Sequence, residues 1–271
     1  MNQTTITSTD GLPIAIQEWG NPKGREILFI HGYNQAHLSW LRQVTDAALA
    51  QHFRMVTLDL RGHGSSGKPL NRETYADDKL WGDDIAAVIA AAGLKRPVLV
   101  GWSYGGRIIS DYLRHHGVDG IAGINYAAAR TANIATSFGP GRAHMAGMMS
   151  EDLATNIAGT RAFLRACFEI QPSQDDFETM LAFNMVVPAV VRSHVLGRGP
   201  DDGAVMRKLT CPVLVTHGRS DQIILPALAE FSAGSVNGAK LSLYDGVGHS
   251  PFWEDAPRFN RELAELVRAT G

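Results

Sequence analysis

The sequence predicts an α/β protein: a mostly parallel central sheet flanked by helices, with a helical segment inserted between two strands. Three observations carry that expectation. Short apolar runs alternate with stretches whose apolar residues recur at helical spacing, the pattern of strands joined by covering helices. The alternation breaks once, from about residue 130 to residue 208, where helical spacing continues without a strand. The chain has 271 residues, 45% of them hydrophobic, enough to bury one large core.

The elements follow in order. Residues 4–7 and 14–19 flank Asp10-Gly11 and read as an opening hairpin. Residues 27–30 form a buried strand, 38–51 a helix and 55–58 a strand. Residues 74–92 read as one long helix closed by Gly93. Pro97 introduces a strand over 98–100, and a helix over 104–115 ends at Gly117. Strands follow at 121–125, 213–216 and 241–244, and a last helix covers 257–269. In the segment between, Leu153, Ile157, Phe163, Leu164 and Phe168 keep helical spacing, while Pro140, Pro172, Pro188 and Pro200 punctuate it. Residues 1–129 and 209–271 are therefore expected to form the core domain, with 130–208 as a helical cap.

Composition excludes several functions. A formal net charge of -2 gives no electrostatic reason to bind nucleic acid or an anionic membrane, so a small molecule is the expected partner. Cys167 and Cys211 lack metal-knuckle or redox-pair spacing and read as two buried thiols, which suits a reducing compartment. The N-terminus lacks a basic start and apolar run, and the longest apolar run, 85–92, is too short to span a bilayer. The cytoplasm is the expected location. No feature specifies an oligomeric state.

The chemistry concentrates in Val98-Leu99-Val100-Gly101-Trp102-Ser103-Tyr104-Gly105-Gly106. Here Gly-x-Ser-x-Gly stands directly after an apolar strand and before a helix. A turn that tight strains its central residue and presents the hydroxyl at its tip, while the helix N-terminus favours developing negative charge. A serine hydroxyl needs an adjacent base. Of ten histidines, His249 is the best candidate, because it follows the 241–244 strand in a glycine-rich loop. His115 and His116 are expected to meet helix-end carbonyls, and His37, His52, His144 and His194 look incidental. No histidine pair has metal-ligand spacing. Asp221, in His217-Gly218-Arg219-Ser220-Asp221 after the 213–216 strand, is the carboxylate expected to orient His249; Asp245 lies too near in its own loop. Backbone N–H groups of Tyr104 and, after His31-Gly32, of Tyr33 are the expected donors to a tetrahedral oxyanion.

Gly62-His63-Gly64-Ser65-Ser66-Gly67 matches a dinucleotide fingerprint but leads into Lys68-Pro69 rather than a helix, so it reads as a supporting loop. Met145, Met148, Met149, Met180 and Met185 read as an adaptable cap core or as the wall of an apolar acyl or alcohol pocket. Arg130, Arg142, Arg161 and Arg192 have the charge to meet a substrate carboxylate, with solvated faces as the default.

Together these pieces, with Asp59-Leu60-Arg61-Gly62-His63-Gly64-Ser65-Ser66 and Gly248-His249, resemble the α/β-hydrolase superfamily over nearly the whole chain. Within it the chain is similar to small bacterial esterases and cofactor-free haloperoxidases (perhydrolases). The resemblance implies an α/β-hydrolase fold with a helical cap, a catalytic triad of Ser103, Asp221 and His249, an oxyanion hole at Tyr33 and Tyr104, and no metal or organic cofactor. It implies cleavage of a small to medium, largely apolar carboxylic ester through an acyl-enzyme. Carbon–carbon bond and lactone hydrolysis, and haloperoxidase-like perhydrolysis, use the same parts. A ligand receptor on this scaffold would acylate without turning over.

Overall fold

The computed structural model describes residues 2–199, 201 and 203–270. Pro200, counted above among the prolines that punctuate the inserted segment, lies outside the described residues. Strands β1 (Asn2–Thr7), β2 (Pro13–Gly20), β3 (Arg25–Ile30), β4 (Phe53–Leu58), β5 (Val98–Trp102), β6 (Gly123–Ala127), β7 (Val213–Gly218) and β8 (Lys240–Tyr244) form one sheet, ordered β1-β2-β4-β3-β5-β6-β7-β8. β1 and β2 pair antiparallel, as do β2 and β4; every later pairing is parallel. β5, β6 and β7 are buried along their whole length, as strands covered on both faces must be, whereas β1 at the edge is largely exposed.

Topology locates the crevice. Between β3 and β4 the chain forms a 3₁₀ turn at His37–Trp40 and two short helices, α1 (Leu41–Val44) and α2 (Ala47–His52). Between β4 and β5 lie α3 (Glu73–Ala76) and α4 (Asp78–Ala91), and between β5 and β6 lies α5 (Tyr104–His116). β4 sits on one side of β3 and β5 on the other. Right-handed crossovers in opposite directions put their helices on opposite faces. The carboxyl ends of β3 and β5 thus flank a switch point, where open α/β sheets bind ligands.

The region expected as one helix over 38–51 is broken, because the Asp46 carboxylate accepts the Leu49 N–H (2.8 Å) and starts a new helix. The helix expected over 74–92 is broken likewise at Asp77, which accepts the Lys79 N–H. The strand expected at 121–125 begins two residues later, since the Ile121 N–H closes a turn onto the Val118 carbonyl. His115 and His116 do not meet helix-end carbonyls; they reach Asp78 (3.0 Å) and Asp83 (2.9 Å) of α4. Neither cysteine forms a disulfide; Cys167 is buried, but Cys211 is only half-buried. Among the described residues no single helix is long and apolar enough to cross a membrane.

Between β6 and β7 the chain inserts α6 (Met145–Met148), α7 (Leu153–Ala166), α8 (Gln174–Met185) and α9 (Ala189–Leu196). α10 (Pro226–Gly234), α11 (Pro251–Glu254) and α12 (Ala256–Ala269) complete the fold. The insertion is held by Arg192. This side chain is fully buried and faces neither substrate nor solvent, unlike either sequence expectation. Its guanidinium donates to the carbonyls of Met148, Val187 and Asn184 and to Asn156 Oδ1 and Thr160 Oγ1, at 2.7–3.0 Å. Neutral oxygens on three helices and on the link between α8 and α9 thus share one buried cation. Arg192→Met strands those acceptors, and a loss of about 3 kcal/mol is expected. Thermal unfolding should then show Tm lower by roughly 6–10 °C; a fall under about 2 °C would refute the assignment.

Candidate active site

Four loops that leave the carboxyl edge of the sheet, after β3, β5, β7 and β8, carry the candidate residues. Ser103 follows β5 with φ 52 and ψ -114, a left-handed conformation that a serine adopts only under constraint. Its N–H is fixed to the Ala127 carbonyl and its carbonyl accepts from Gly106 and Arg130. Gly105 is obligatory here, since a Cβ would stand 2.4 Å from the Ile30 carbonyl oxygen. Gly32, after β3, lies against the same residue: a Cβ there would be 3.2 Å from Ser103 Cβ. The backbone of Tyr33 is therefore beside the serine. The Tyr33 N–H donates to no described residue, and Tyr104, as the first residue of α5, has no intrahelical acceptor for its N–H.

The phenols of these two tyrosines point to the insertion. Tyr33 Oη donates to the Arg192 carbonyl (3.3 Å) and Tyr104 Oη to the Val195 carbonyl (3.1 Å), both on α9. Arg198 donates in turn to Tyr104 Oη (3.0 Å).

His249 follows β8 and Asp221 follows β7. Each is 1% exposed, and His249 Nδ1 lies 2.7 Å from Asp221 Oδ2. A carboxylate only accepts, so Nδ1 carries the proton and Nε2 keeps its lone pair. Asp221 Oδ1 accepts the N–H groups of Ile223 (2.8 Å) and Ile224 (3.0 Å). Burial pushes the Asp221 carboxyl up, but the charge of His249 and the hydrogen bonds from His217 and His249 outweigh it and hold it well below the usual carboxylate range. His249 Nε2 is buried without a hydrogen-bond partner, and no hydrogen bond joins it to Ser103 Oγ in this structure. The histidine loop is nevertheless fastened to the serine strand: Trp102 Nε1 donates to the His249 carbonyl (2.9 Å), and the two rings lie 5.7 Å apart. Asp245, by contrast, is exposed and pairs with Arg219.

The loop after β4 supports the Tyr33 backbone. His31 Nε2 accepts the Leu60 N–H (3.0 Å), and His63 Nε2 accepts the Asn34 N–H (3.2 Å). Their Nδ1 atoms face the Gly32 and Arg61 carbonyls, so both rings are neutral Nδ1–H tautomers. Burial agrees, bringing His31 down to about 4 and His63 to about 3. No helix opens at Gly67; the segment is an interlocked loop whose Asp59 carboxylate accepts from Ser65 and His37. His37, which looked incidental, is thus part of the support.

Two further side chains were passed over in the sequence. Glu254 on α11 accepts N–H groups from Gly248, Ser250, Glu169 and Ile170, clamping the His249 loop to the end of α7. Burial pushes its carboxyl up despite those bonds. His217, four residues before Asp221, touches the same carboxylate oxygen as His249. Its position in His-Gly-x-x-Asp was the available signal; nothing local marks Glu254, whose partners are distant in sequence.

A small apolar cavity of about 10 Å³ lies between the insertion and the sheet edge, lined by Trp102, Leu164, Phe168, Met180, Phe183 and Phe252 among others. Among the described residues no group of three His, Cys, Asp or Glu side chains is placed to hold a metal ion.

Comparison with known proteins gives a consistent result. The sequence model described as the alpha/beta hydrolase family matches residues 27–262. A bifunctional esterase/perhydrolase from Acinetobacter calcoaceticus is 26% identical, over 97% of this chain and 99% of the relative. The solved structure of a candidate aryl esterase from Burkholderia cenocepacia superposes with TM-score 0.94 at 36% identity, covering 99% of both chains. An esterase from Rhodococcus sp. ECU1013 gives TM-score 0.93 at 32% identity, covering 100% of both.

Proposed function

We propose, from the premise that this chain belongs to the alpha/beta hydrolase family, that it is a serine esterase acting on small to medium, largely apolar carboxylic esters. The observation that carries the mechanism is the buried 2.7 Å bond between Asp221 and His249 Nδ1, one loop away from a strained Ser103. It leaves Nε2 as the atom that takes the serine proton. Ser103 Oγ attacks the ester carbonyl, the N–H groups of Tyr33 and Tyr104 receive the oxyanion, and His249 returns the proton to the leaving alcohol. Water activated by His249 then releases the acid. The Ser103–His249 hydrogen bond forms when substrate fills the site, as such bonds often tighten only in the complex. Residues 130–208 act as the cap, and the small apolar cavity beneath widens to take an apolar substituent when substrate binds.

The relative from Acinetobacter carries a second activity in its name, perhydrolysis. The same acyl-enzyme intercepted by hydrogen peroxide yields peracid and free serine. We place the enzyme in the cytoplasm, a reading supported by two thiols that form no disulfide.

A series of p-nitrophenyl esters tests the substrate class, run beside lactones and ring-fission dienones. Turnover is expected for the esters, with kcat/KM rising as the acyl chain grows from acetate toward hexanoate. A flat series would remove the apolar pocket from the proposal. Turnover of lactones or dienones with no ester cleaved would overturn the esterase reading.

A further inference from the structure

His217 is fully buried at the end of β7, and its Nε2 lies 2.8 Å from the Ile224 carbonyl and 3.0 Å from Asp221 Oδ2. A carbonyl only accepts, so Nε2 carries a proton and donates it to the Ile224 carbonyl, with Asp221 Oδ2 at 3.0 Å from the same nitrogen. Nδ1 is buried and unpartnered. A proton there would be a buried N–H with no acceptor. Asp221 therefore carries two imidazoles on one oxygen, His249 at 2.7 Å and His217 at 3.0 Å. Only the first is needed for acid–base–nucleophile relay.

We propose that His217 is a positioning residue for the reaction proposed above: its Nε2–H pins Asp221 Oδ2 toward His249 and draws off part of the carboxylate's charge. The geometry is over-determined. Ile223 and Ile224 N–H groups hold Oδ1, His217 holds Oδ2, and the Ile224 carbonyl keeps the His217 ring from turning. The carboxylate has no rotational freedom left, which is what a base oriented to a fraction of an ångström requires. Cys167, at the end of α7, is a further titratable group that feels the Asp221 charge, and it also feels Glu254 on α11. Burial, then the Asp221 charge, pushes the Cys167 thiol up, so it stays uncharged.

His217→Phe keeps a ring but removes the donor. With less charge drawn from Asp221, His249 becomes more basic, so the acid limb of the kcat/KM profile should move up by about one pH unit, the size of one hydrogen bond to a charged group. kcat should fall roughly 10-fold, as for outer partners of other functional histidines, with KM unchanged. His217→Gln restores an N–H donor and should recover both. Titrating His249 by nitrogen-15 NMR reads the same shift without turnover, in wild type and in each variant. The proposal is overturned if the His249 titration is the same in all three proteins, or if Gln and Phe lower kcat equally with the acid limb unmoved. If no p-nitrophenyl ester is turned over while the NMR shift is present, the esterase reading falls and the His217 coupling stands.

Discussion

Replacing Ser103 with alanine should lower ester turnover by at least about 1000-fold, the scale of losing a serine nucleophile that works as a unit with its base. The substitution removes one oxygen from a residue whose backbone is fixed by four neighbours: the Ala127 carbonyl, the Gly106 and Arg130 N–H groups and the close approach of Gly32. Alanine accepts the same backbone constraint, so folding should be retained and substrate should still bind. The loss therefore belongs in kcat, with KM nearly unchanged. Residual rate would come from the Tyr33 and Tyr104 N–H groups polarising the bound carbonyl for attack by water. Steady-state kinetics with active-site titration measures it. A loss below tenfold would mean that another group performs the attack.

Asp221→Asn is the second large effect, expected at about 10⁴-fold in kcat. The reason is a conflict of donors. Oδ1 accepts two backbone N–H groups that cannot change sign, so the new amide nitrogen is forced to the Oδ2 position. There it faces His249 Nδ1, which can become an acceptor only by moving its proton to Nε2. The lone pair that should take the serine proton is then lost, while the geometry stays nearly intact. Stability is affected as well. The wild-type carboxyl is held below its ordinary value, so it contributes stability that is complete above about pH 4, the unfolded carboxylate range, and is lost as pH falls below it. The variant lacks that contribution at neutral pH. Kinetics together with nitrogen-15 spectra of His249 would check the account; an unchanged tautomer with a kcat loss under about 100-fold would contradict it.

The sheet was legible because its strands are apolar runs with helices between them, and all eight appear where alternation places them, β6 with a two-residue offset. The serine turn was legible because one short segment contains its strand, its glycines and its helix. Asp221 and His249 could be nominated because each follows a strand in a loop, but only the fold reveals that they meet. What stayed hidden depends on tertiary partners. His37 looked incidental until Asp59 stood beside it, and Arg192 looked solvated until three other helices closed around it. His217 sat in a quoted motif, yet its proton could be assigned only once the Ile224 carbonyl came within 2.8 Å. The two misjudged helices share one cause: Asp46 and Asp77 each begin a helix inside a stretch whose apolar spacing runs on unbroken.

Tyr33 and Tyr104 serve two masters. Their main chains border the serine while their phenols grip α9 from below. If α9 swings outward to admit ester or release acid, both grips must break, and the amides beside the serine lose their anchorage at the same moment. Entry and bond cleavage thereby become successive phases that cannot overlap.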